Sequence, residues 1–204
     1  MSCESMTGQV AVVTGASRGI GRILTVGLAQ RGAAVAGIAR PSPDLDSLTD
    51  EAGGAGVIAL SADVTSPEQV RRAFEAVRER LGSPTLVVTC AGTADVLGPA
   101  WSAGPREWWR AVEVDLLGTM ITAGSAIKLM LHAGSGRIVT VYGNLGDRQP
   151  RNVSAFAAAK AGIVRLTESL ASELDGTGVR TPGLERAGPR LVAGLRAGRR
   201  RSLG

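Results

Sequence analysis

The glycine-rich stretch TGASRGIG at residues 14–21 carries the most specific chemical signal in the sequence. It follows a β-branched run and precedes a helical pattern, so its glycines at 15, 19 and 21 predict a tight strand-to-helix turn. A pyrophosphate can approach such a turn closely and bind the free N–H groups at the start of the helix. Three glycines are also compatible with a plain turn, but the position after the first strand favours dinucleotide binding.

Two arginines predict which dinucleotide this site prefers. Arg18 lies inside the glycine-rich stretch, and Arg40 ends the second predicted strand, 19 residues after Gly21. An acidic residue at that strand end would bond the 2′-hydroxyl of NAD, whereas cations pair with the 2′-phosphate of NADP. Since residue 39 is alanine, we expect NADP in preference to NAD. The alternative is that both arginines are solvated surface residues.

A second candidate centre is the stretch AFAAAK, in which Phe156 precedes Lys160 by one helical turn. Side chains four residues apart lie on the same face of a helix. A tyrosine at position 156 would form an acid/base pair with the lysine, because a nearby ammonium lowers the pKa of a phenol from its usual value of about 10. Phenylalanine has no proton to give, so the pair as it stands cannot perform that step.

Alternating strands and helices must position these residues. Short apolar, β-branched runs alternate with longer helical stretches, which is typical of a parallel sheet covered on both faces. We therefore predict an α/β fold with a Rossmann-type doubly wound parallel sheet of about five strands. The predicted strands are 9–14, 33–39, 56–61, 85–91 and 136–142, and the predicted helices are 19–31, 44–53, 67–80, 105–131 and 153–174.

Composition argues against several other classes of protein. Cys3 and Cys90 are the only cysteines and His132 is the only histidine, so no metal site and no serine–histidine chemistry is predicted. No uninterrupted apolar run reaches 18 residues, and Glu4 stands where a signal peptide would be basic. We therefore expect a cytoplasmic protein that has no membrane partner.

The net charge of +5 is concentrated near the C-terminus. Residues 181–204 contain six arginines and one acidic residue, Glu185, whereas residues 1–180 carry no net charge. We predict one Rossmann domain over 1–180 and a disordered basic tail, rich in glycine and arginine, over 181–204. A polyanion-binding arm is the alternative for the tail, and no specific nucleic-acid partner is predicted.

Several motifs, taken in their order, resemble those of the short-chain dehydrogenase/reductase family over residues 7–180. They are the G-x-x-x-G-x-G spacing, ADV at 62–64, CAG at 90–92 and WWRAVEVDLLGT at 108–119. The resemblance implies an NADP-dependent oxidoreductase that acts on an unknown carbonyl or alcohol. The implied cofactor-binding residues are Gly15, Ser17, Arg18, Gly19, Ile20, Gly21, Arg40, Asp63, Val64, Ala91, Gly92 and Lys160.

The resemblance also implies a role for some of these residues. Asp63 and Val64 would hold the adenine, and Ala91 and Gly92 would approach the inner ribose. Lys160 would bond the ribose at the nicotinamide end. The family associates through two long helices, so a homo-oligomer through helices 105–131 and 153–174 is expected.

The catalytic positions depart from the family pattern. Phe156 stands at the position of the family's proton-exchanging tyrosine, Gly143 at that of its substrate-binding serine and Asp115 at that of its helix asparagine. Only Lys160 matches. Because positioned proton transfer supplies roughly 10² to 10⁴ in rate, we expect weak or absent reductase activity. Tyr142 is a further candidate acid, although strand alternation predicts that it faces away from position 143.

Two alternatives to an active enzyme stay open. One is a non-catalytic protein that binds NADP or a partner, and the other is a poorly folding gene remnant. The stretch TPGLERAGPRL after Arg180 lacks the β-branched run of a buried strand, so we expect the C-terminal strands to be missing. The fifth strand would then be an uncovered edge. A frameshift or truncated reading frame is one interpretation of this stretch, and a native tail is the other.

Overall fold

One parallel sheet forms the centre of the computed structural model, which describes residues 5–53, 56–143 and 151–184. The sheet order is β3-β2-β1-β4-β5-β6, and β7 also pairs with β5. The strands are β1 Val10–Thr14, β2 Ala34–Ala39, β3 Val57–Ser61, β4 Leu86–Thr89, β5 Gly136–Val141, β6 Val179–Arg180 and β7 Gly183–Leu184.

Helices connect the strands along the chain. They are α1 Gly19–Ala29, α2 Pro43–Asp46, α3 Leu48–Glu51, α4 Pro67–Arg80, α5 Pro105–Val112, α6 Gly118–Ala133 and α7 Ser154–Glu173. A π-helical segment, Glu113–Leu117, joins α5 to α6. Helix α4 begins with Ser66 as N-cap, whose Oγ accepts from the Gln69 N–H, and with Pro67 in the first turn.

The predicted doubly wound α/β fold is confirmed, and the predicted count of about five strands is close to the observed sheet. The chain runs outward from β1 to β3 and then returns to place β4 on the other side of β1. The predicted helix 44–53 is two short helices instead, separated at Ser47. The Ser47 hydroxyl donates to the Asp44 carbonyl, and such local side-chain bonds compete with helix continuation.

Both faces of the sheet are covered, which explains the nearly continuous apolar strands. On one face Val12 and Ile138 pack with Val77 of α4 and Met130 of α6. On the other face Ala11, Val13 and Val35 pack with partly buried side chains of α1. Alternate residues of one strand therefore enter opposite halves of the core.

The expectation of an uncovered fifth strand is wrong for the described residues. β6 and β7 both pair in parallel with β5, one after the other along its length. Thr181 and Pro182 separate them, and proline has no N–H to donate to a strand ladder. Because of this interruption, β6 and β7 are only two residues long each. The sequence therefore lacks the continuous apolar run that predicts a buried strand. β7 lies inside the segment that was predicted as tail, and residues 185–204 lie outside the described part of the chain.

The long helical stretch Pro105–Ala133 is apolar enough to cross a membrane by length and composition, with a mean hydropathy of 1.4 in one window. In this fold it packs against β4, β5, α4 and α7. That packing places the inner residues of the stretch beside a cleft at the ends of the strands.

Candidate functional site

A cleft of about 1340 Å³ follows the carboxyl ends of the first five strands. It lies where the strand order reverses between β1 and β4, the position at which open α/β sheets bind ligands. The structure places all twelve of the predicted cofactor-binding residues along this cleft. Gly143 and Phe156 line it as well, and Asp115 is fully buried next to it.

The glycine-rich stretch has the close packing that its sequence predicts. Gly15 has φ +70°, and a Cβ there would lie 2.8 Å from the Ala91 Cα. A Cβ on Gly21 would lie 2.3 Å from the Gly15 carbonyl oxygen, so no larger residue fits without movement of the backbone. Helix α1 begins at Gly19 without a side-chain cap and without an acidic residue in its first turn. This arrangement fits a pyrophosphate, which both the dipole of α1 and its first N–H groups would bind.

Thr14 is a buried residue whose role the sequence did not indicate. Its Oγ1 accepts hydrogen bonds from the backbone N–H groups of Cys90 at 3.1 Å and Ala91 at 3.2 Å. The hydroxyl thereby joins the ends of β1 and β4 on the floor of the cleft. Its partners are 76 and 77 residues away, so no local pattern could reveal this pair of bonds.

Arg22 is a second residue that sequence reasoning missed. Its guanidinium donates to the Ser17 carbonyl oxygen at 3.0 Å, to the Asp44 carbonyl oxygen, and to the Ser47 hydroxyl at 3.0 Å. It also forms an ion pair of 2.6 Å with Glu51. These contacts connect the glycine-rich stretch with α2 and α3, which follow Arg40 at the outer end of the cleft.

Asp63 lies at the predicted adenine end and carries a well-supported negative charge. Its Oδ1 accepts from the Thr65 N–H at 2.9 Å and the Thr65 hydroxyl at 2.7 Å. Burial alone would raise the pKa of Asp63, but these bonds and the charges of Arg40 and Arg110 hold it below its usual value. Arg110 of α5 lines the cleft too, and the sequence patterns did not single it out.

Lys160 and Phe156 meet as their spacing predicts. The Lys160 Nζ lies 5.1 Å from the centroid of the Phe156 ring. The same Nζ is 3.0 Å from Asp115 Oδ2 and donates to the Val141 carbonyl oxygen at 3.3 Å. The family resemblance placed Lys160 and Asp115 among the site positions, but it did not predict this direct ion pair.

The π-helical segment turns Asp115 into the protein interior. π-helical turns of this kind occur often at functional sites. Asp115 Oδ1 accepts from the Thr93 N–H at 2.6 Å, and the Thr119 hydroxyl donates to the Asp115 carbonyl oxygen at 2.7 Å. Burial raises the pKa of Asp115, while the charge of Lys160 and the bond from Thr93 oppose that rise.

The backbone at Gly143 does not suit the serine that the family pattern would place there. Its φ of +73° lies in the left-handed region, which disfavours residues that have a side chain. Tyr142 is buried at the end of β5 and also borders the cleft, so its proposed role as a substitute acid stays a prediction. Residues 144–150 lie outside the described part of the chain.

Cys90 borders the cleft but is poorly suited to act as a nucleophile. Burial raises the pKa of its thiol to about 11, although the charge of Lys160 acts in the opposite direction. The thiol therefore stays protonated near neutral pH, and a protonated thiol reacts weakly. Among the described residues no group of three or more metal-ligating side chains is present.

This fold and this cleft define a nucleotide-binding α/β domain, and the comparisons identify its family. The chain belongs to the short-chain dehydrogenase family, whose model matches residues 9–187. It is 36% identical over 200 residues to cis-4-hydroxycyclohexanecarboxylate dehydrogenase from Sinomonas cyclohexanicum, which covers 95% of this chain and 79% of the relative. The family that the sequence motifs resemble is therefore confirmed, and with it an oxidoreductase lineage.

Two solved structures show the same fold with different cofactors. A metagenomic short-chain oxidoreductase in complex with NADP matches with a TM-score of 0.82 and 30% identity, over 88% of this chain and 82% of that chain. Carveol dehydrogenase from Mycobacterium avium in complex with NAD matches with a TM-score of 0.82 and 25% identity, over 89% and 71%. The family likeness alone therefore leaves the choice between NAD and NADP open.

Proposed function

We propose that this chain binds NADP(H) in the cleft and performs hydride transfer to a carbonyl, or from an alcohol, weakly or not at all. The observation that carries the proposal is the contrast within one cleft. The close glycine packing at Gly15 and Gly21 fits a pyrophosphate, while Phe156 stands where a proton donor is needed. The bound nicotinamide would supply or accept the hydride.

The charges at the outer end of the cleft support NADP over NAD. Arg18 and Arg40 are both exposed and both line the cleft. A charge-assisted bond from a guanidinium to the 2′-phosphate is worth roughly 1.5 to 3 kcal/mol, which is about tenfold or more in affinity. Asp44 borders the same region, but the residue next to Arg40 on β2 is Ala39, which cannot accept a bond from the ribose of NAD.

The inner end of the cleft supports weak or absent catalysis. A general acid must lie within hydrogen-bond reach of the substrate oxygen. The Phe156 ring has no such donor, and the Lys160 ammonium is 3.0 Å from a buried carboxylate. The chain would hold the cofactor through its adenosine and pyrophosphate groups, with few groups left to move a proton.

Paired arginine variants test the cofactor assignment. We expect Arg40→Ala to weaken NADPH binding about tenfold, while NADH binding changes little. Arg106→Ala is the matched control, because Arg106 is exposed on α5 and is not among the residues that line the cleft. Calorimetric titration of both variants with both cofactors would decide. Equal losses in the two variants, or equal affinity of the parent for NADPH and NADH, would contradict the assignment.

We further propose a cytoplasmic location and a homo-oligomer that forms through the helices α5, α6 and α7. The soluble fold supports the location. Trp109 and Met120 support the oligomer, since their side chains are 57% and 45% exposed on the helical stretch through which the family is expected to associate. Light scattering after size exclusion should give a mass above 20.9 kDa, and a monomer at all concentrations would contradict the oligomer.

A further inference from the structure

The ammonium of Lys160 lies close to three groups of the protein. An ammonium carries three N–H donors and no acceptor. In this structure Nζ lies 3.0 Å from Asp115 Oδ2 and 3.3 Å from the Val141 carbonyl oxygen, and it stands over the Phe156 ring at 5.1 Å from the centroid. The ring attracts the cation as a π-acceptor. A ribose hydroxyl would have to share the ammonium with these three groups, of which Asp115 carries the opposite charge.

Burial and a hydrogen bond hold the Asp115 carboxylate in place beside Lys160. The Asp115 side chain is 0% exposed and the Lys160 side chain 8% exposed. The Thr93 N–H binds Oδ1 at 2.6 Å, and a Cβ on Gly92 would lie 3.1 Å from the same oxygen, so the carboxylate fills its site. Removal of one partner from a buried ion pair strongly destabilises a protein, and separation of the pair is costly for the same reason.

We propose that Asp115 holds Lys160 in an ion pair, which withholds the lysine from the ribose at the nicotinamide end of NADP(H). This inference rests on the proposed function, since it concerns the same cleft. Its consequence is that the adenosine 2′-phosphate and the pyrophosphate supply the affinity, while the nicotinamide end adds little. Asp115 is thus a positioning residue that acts through Lys160.

The amide variant separates this role from plain structural support. Asp115→Asn keeps an oxygen for the Thr93 N–H but removes the charge that holds Lys160. An N–H group of Lys160 can then donate a hydrogen bond to the ribose at the nicotinamide end of NADPH. The probe 2′,5′-ADP lacks the second phosphate, the ribose beyond it and the nicotinamide, so a change in the ratio of the NADPH affinity to the 2′,5′-ADP affinity between parent and variant reports on that part of the cofactor.

Calorimetric titration with both ligands is the test. We expect Asp115→Asn to raise this ratio about tenfold, the value of one charge-assisted hydrogen bond, with 2′,5′-ADP affinity unchanged. The double variant Asp115→Asn with Lys160→Met should return the ratio to that of the parent. Asp175→Asn, which removes an exposed carboxylate that does not line the cleft, is the control and should leave the ratio unchanged.

Each other outcome has a defined meaning. An unchanged ratio in a folded Asp115→Asn variant would overturn the inference. If circular dichroism shows that this variant does not fold, the double variant decides, because it removes both charges of the pair. A parental ratio in the double variant supports the inference, and a roughly tenfold lower ratio overturns it, since Lys160 would then already bind the ribose in the parent. If the parent does not bind 2′,5′-ADP, the proposed function itself fails.

Discussion

The two ends of the cleft are built in different ways. The outer end is shaped by the backbone: Gly15 and Gly21 leave no space for a Cβ, and α1 begins there without a capping side chain. The inner end depends on side chains, namely Asp115, Phe156 and Lys160. A single substitution can therefore remove chemistry at the inner end while the outer end keeps its shape. Binding and catalysis are separable in this fold, and the predictions below test that separation.

The largest expected effect is the loss of cofactor binding in Gly21→Ala. The new Cβ would meet the Gly15 carbonyl oxygen at 2.3 Å, so the glycine-rich stretch must move out of its binding shape. We expect NADPH affinity to fall by more than about 100-fold, or roughly 3 kcal/mol. Gly124→Ala in α6 is the control, because a Cβ there has no neighbour within 4 Å and should stabilise the helix by about 0.5 to 1 kcal/mol. Equal NADPH affinities of the two variants would contradict the claim that the backbone of the glycine-rich stretch shapes the binding site.

At the inner end, Phe156→Tyr combined with Gly143→Ser should still bind NADPH but show no turnover with a small reactive diketone. A serine at φ +73° costs about 1 to 3 kcal/mol of strain, and the Lys160 ammonium that would lower the pKa of the new phenol is paired with Asp115. The measurement is the decrease in NADPH absorbance over time. Turnover that appears in the double variant and disappears again with Lys160→Ala would show that the two missing hydroxyls are the main chemical defect.

The junction between the ends can be weakened at Thr14. Thr14→Val keeps the shape but leaves the N–H groups of Cys90 and Ala91 without their buried acceptor, which should cost about 1 to 3 kcal/mol in the free energy of unfolding. Thr14→Ser keeps the acceptor and should recover most of the loss. Urea unfolding curves compare the three proteins, and equal stability of the valine and serine variants would rule out this role.

The smallest effects concern pH, and they have opposite signs at the two ends. The pKa of Asp63 is lowered in the folded state, so its ionised form stabilises the fold above its usual pKa of 3.8, and this stabilisation is lost as pH falls. The pKa of Asp115 is raised, so the folded state binds this proton more tightly than the unfolded state does. The resulting stabilisation is lost as pH rises above 3.8. Relative to Asp63→Asn the parent should gain stability with rising pH, and relative to Asp115→Asn it should lose stability.

Thermal unfolding of the parent and the two asparagine variants between about pH 2.5 and 7 measures both slopes. The comparison of variants removes the contributions of the other titrating groups. Slopes of the same sign for the two variants would contradict the contrast between a solvated, hydrogen-bonded carboxylate at the outer end and a desolvated one at the inner end.

The features that were predictable from the sequence are those that rest on local patterns. The glycine spacing at 15, 19 and 21, Arg40 at the end of β2 and the one-turn spacing of Phe156 and Lys160 all depend on neighbouring residues, and the structure places them together along one cleft. β6 and β7 were not predictable, because two residues on either side of a proline show no periodicity.

Most of the missed contacts are between residues that are distant along the chain. Arg22 reaches Glu51 across 29 residues, and Asp115 meets Lys160 only after the sheet has formed. The family motif indicates that position 115 belongs to the site, but it gives no reason to expect a carboxylate on the lysine. Such pairs follow from tertiary packing, which a single sequence does not display.

The most direct test of the central claim combines binding and turnover in one protein. Purified parent chain is titrated with NADPH and NADH by calorimetry, and the same sample is then assayed for NADPH oxidation with a panel of small ketones and diketones. The account predicts NADPH binding about tenfold tighter than NADH binding, with no measurable oxidation. No binding of either cofactor, or rapid NADPH oxidation by the unmodified chain, would contradict it.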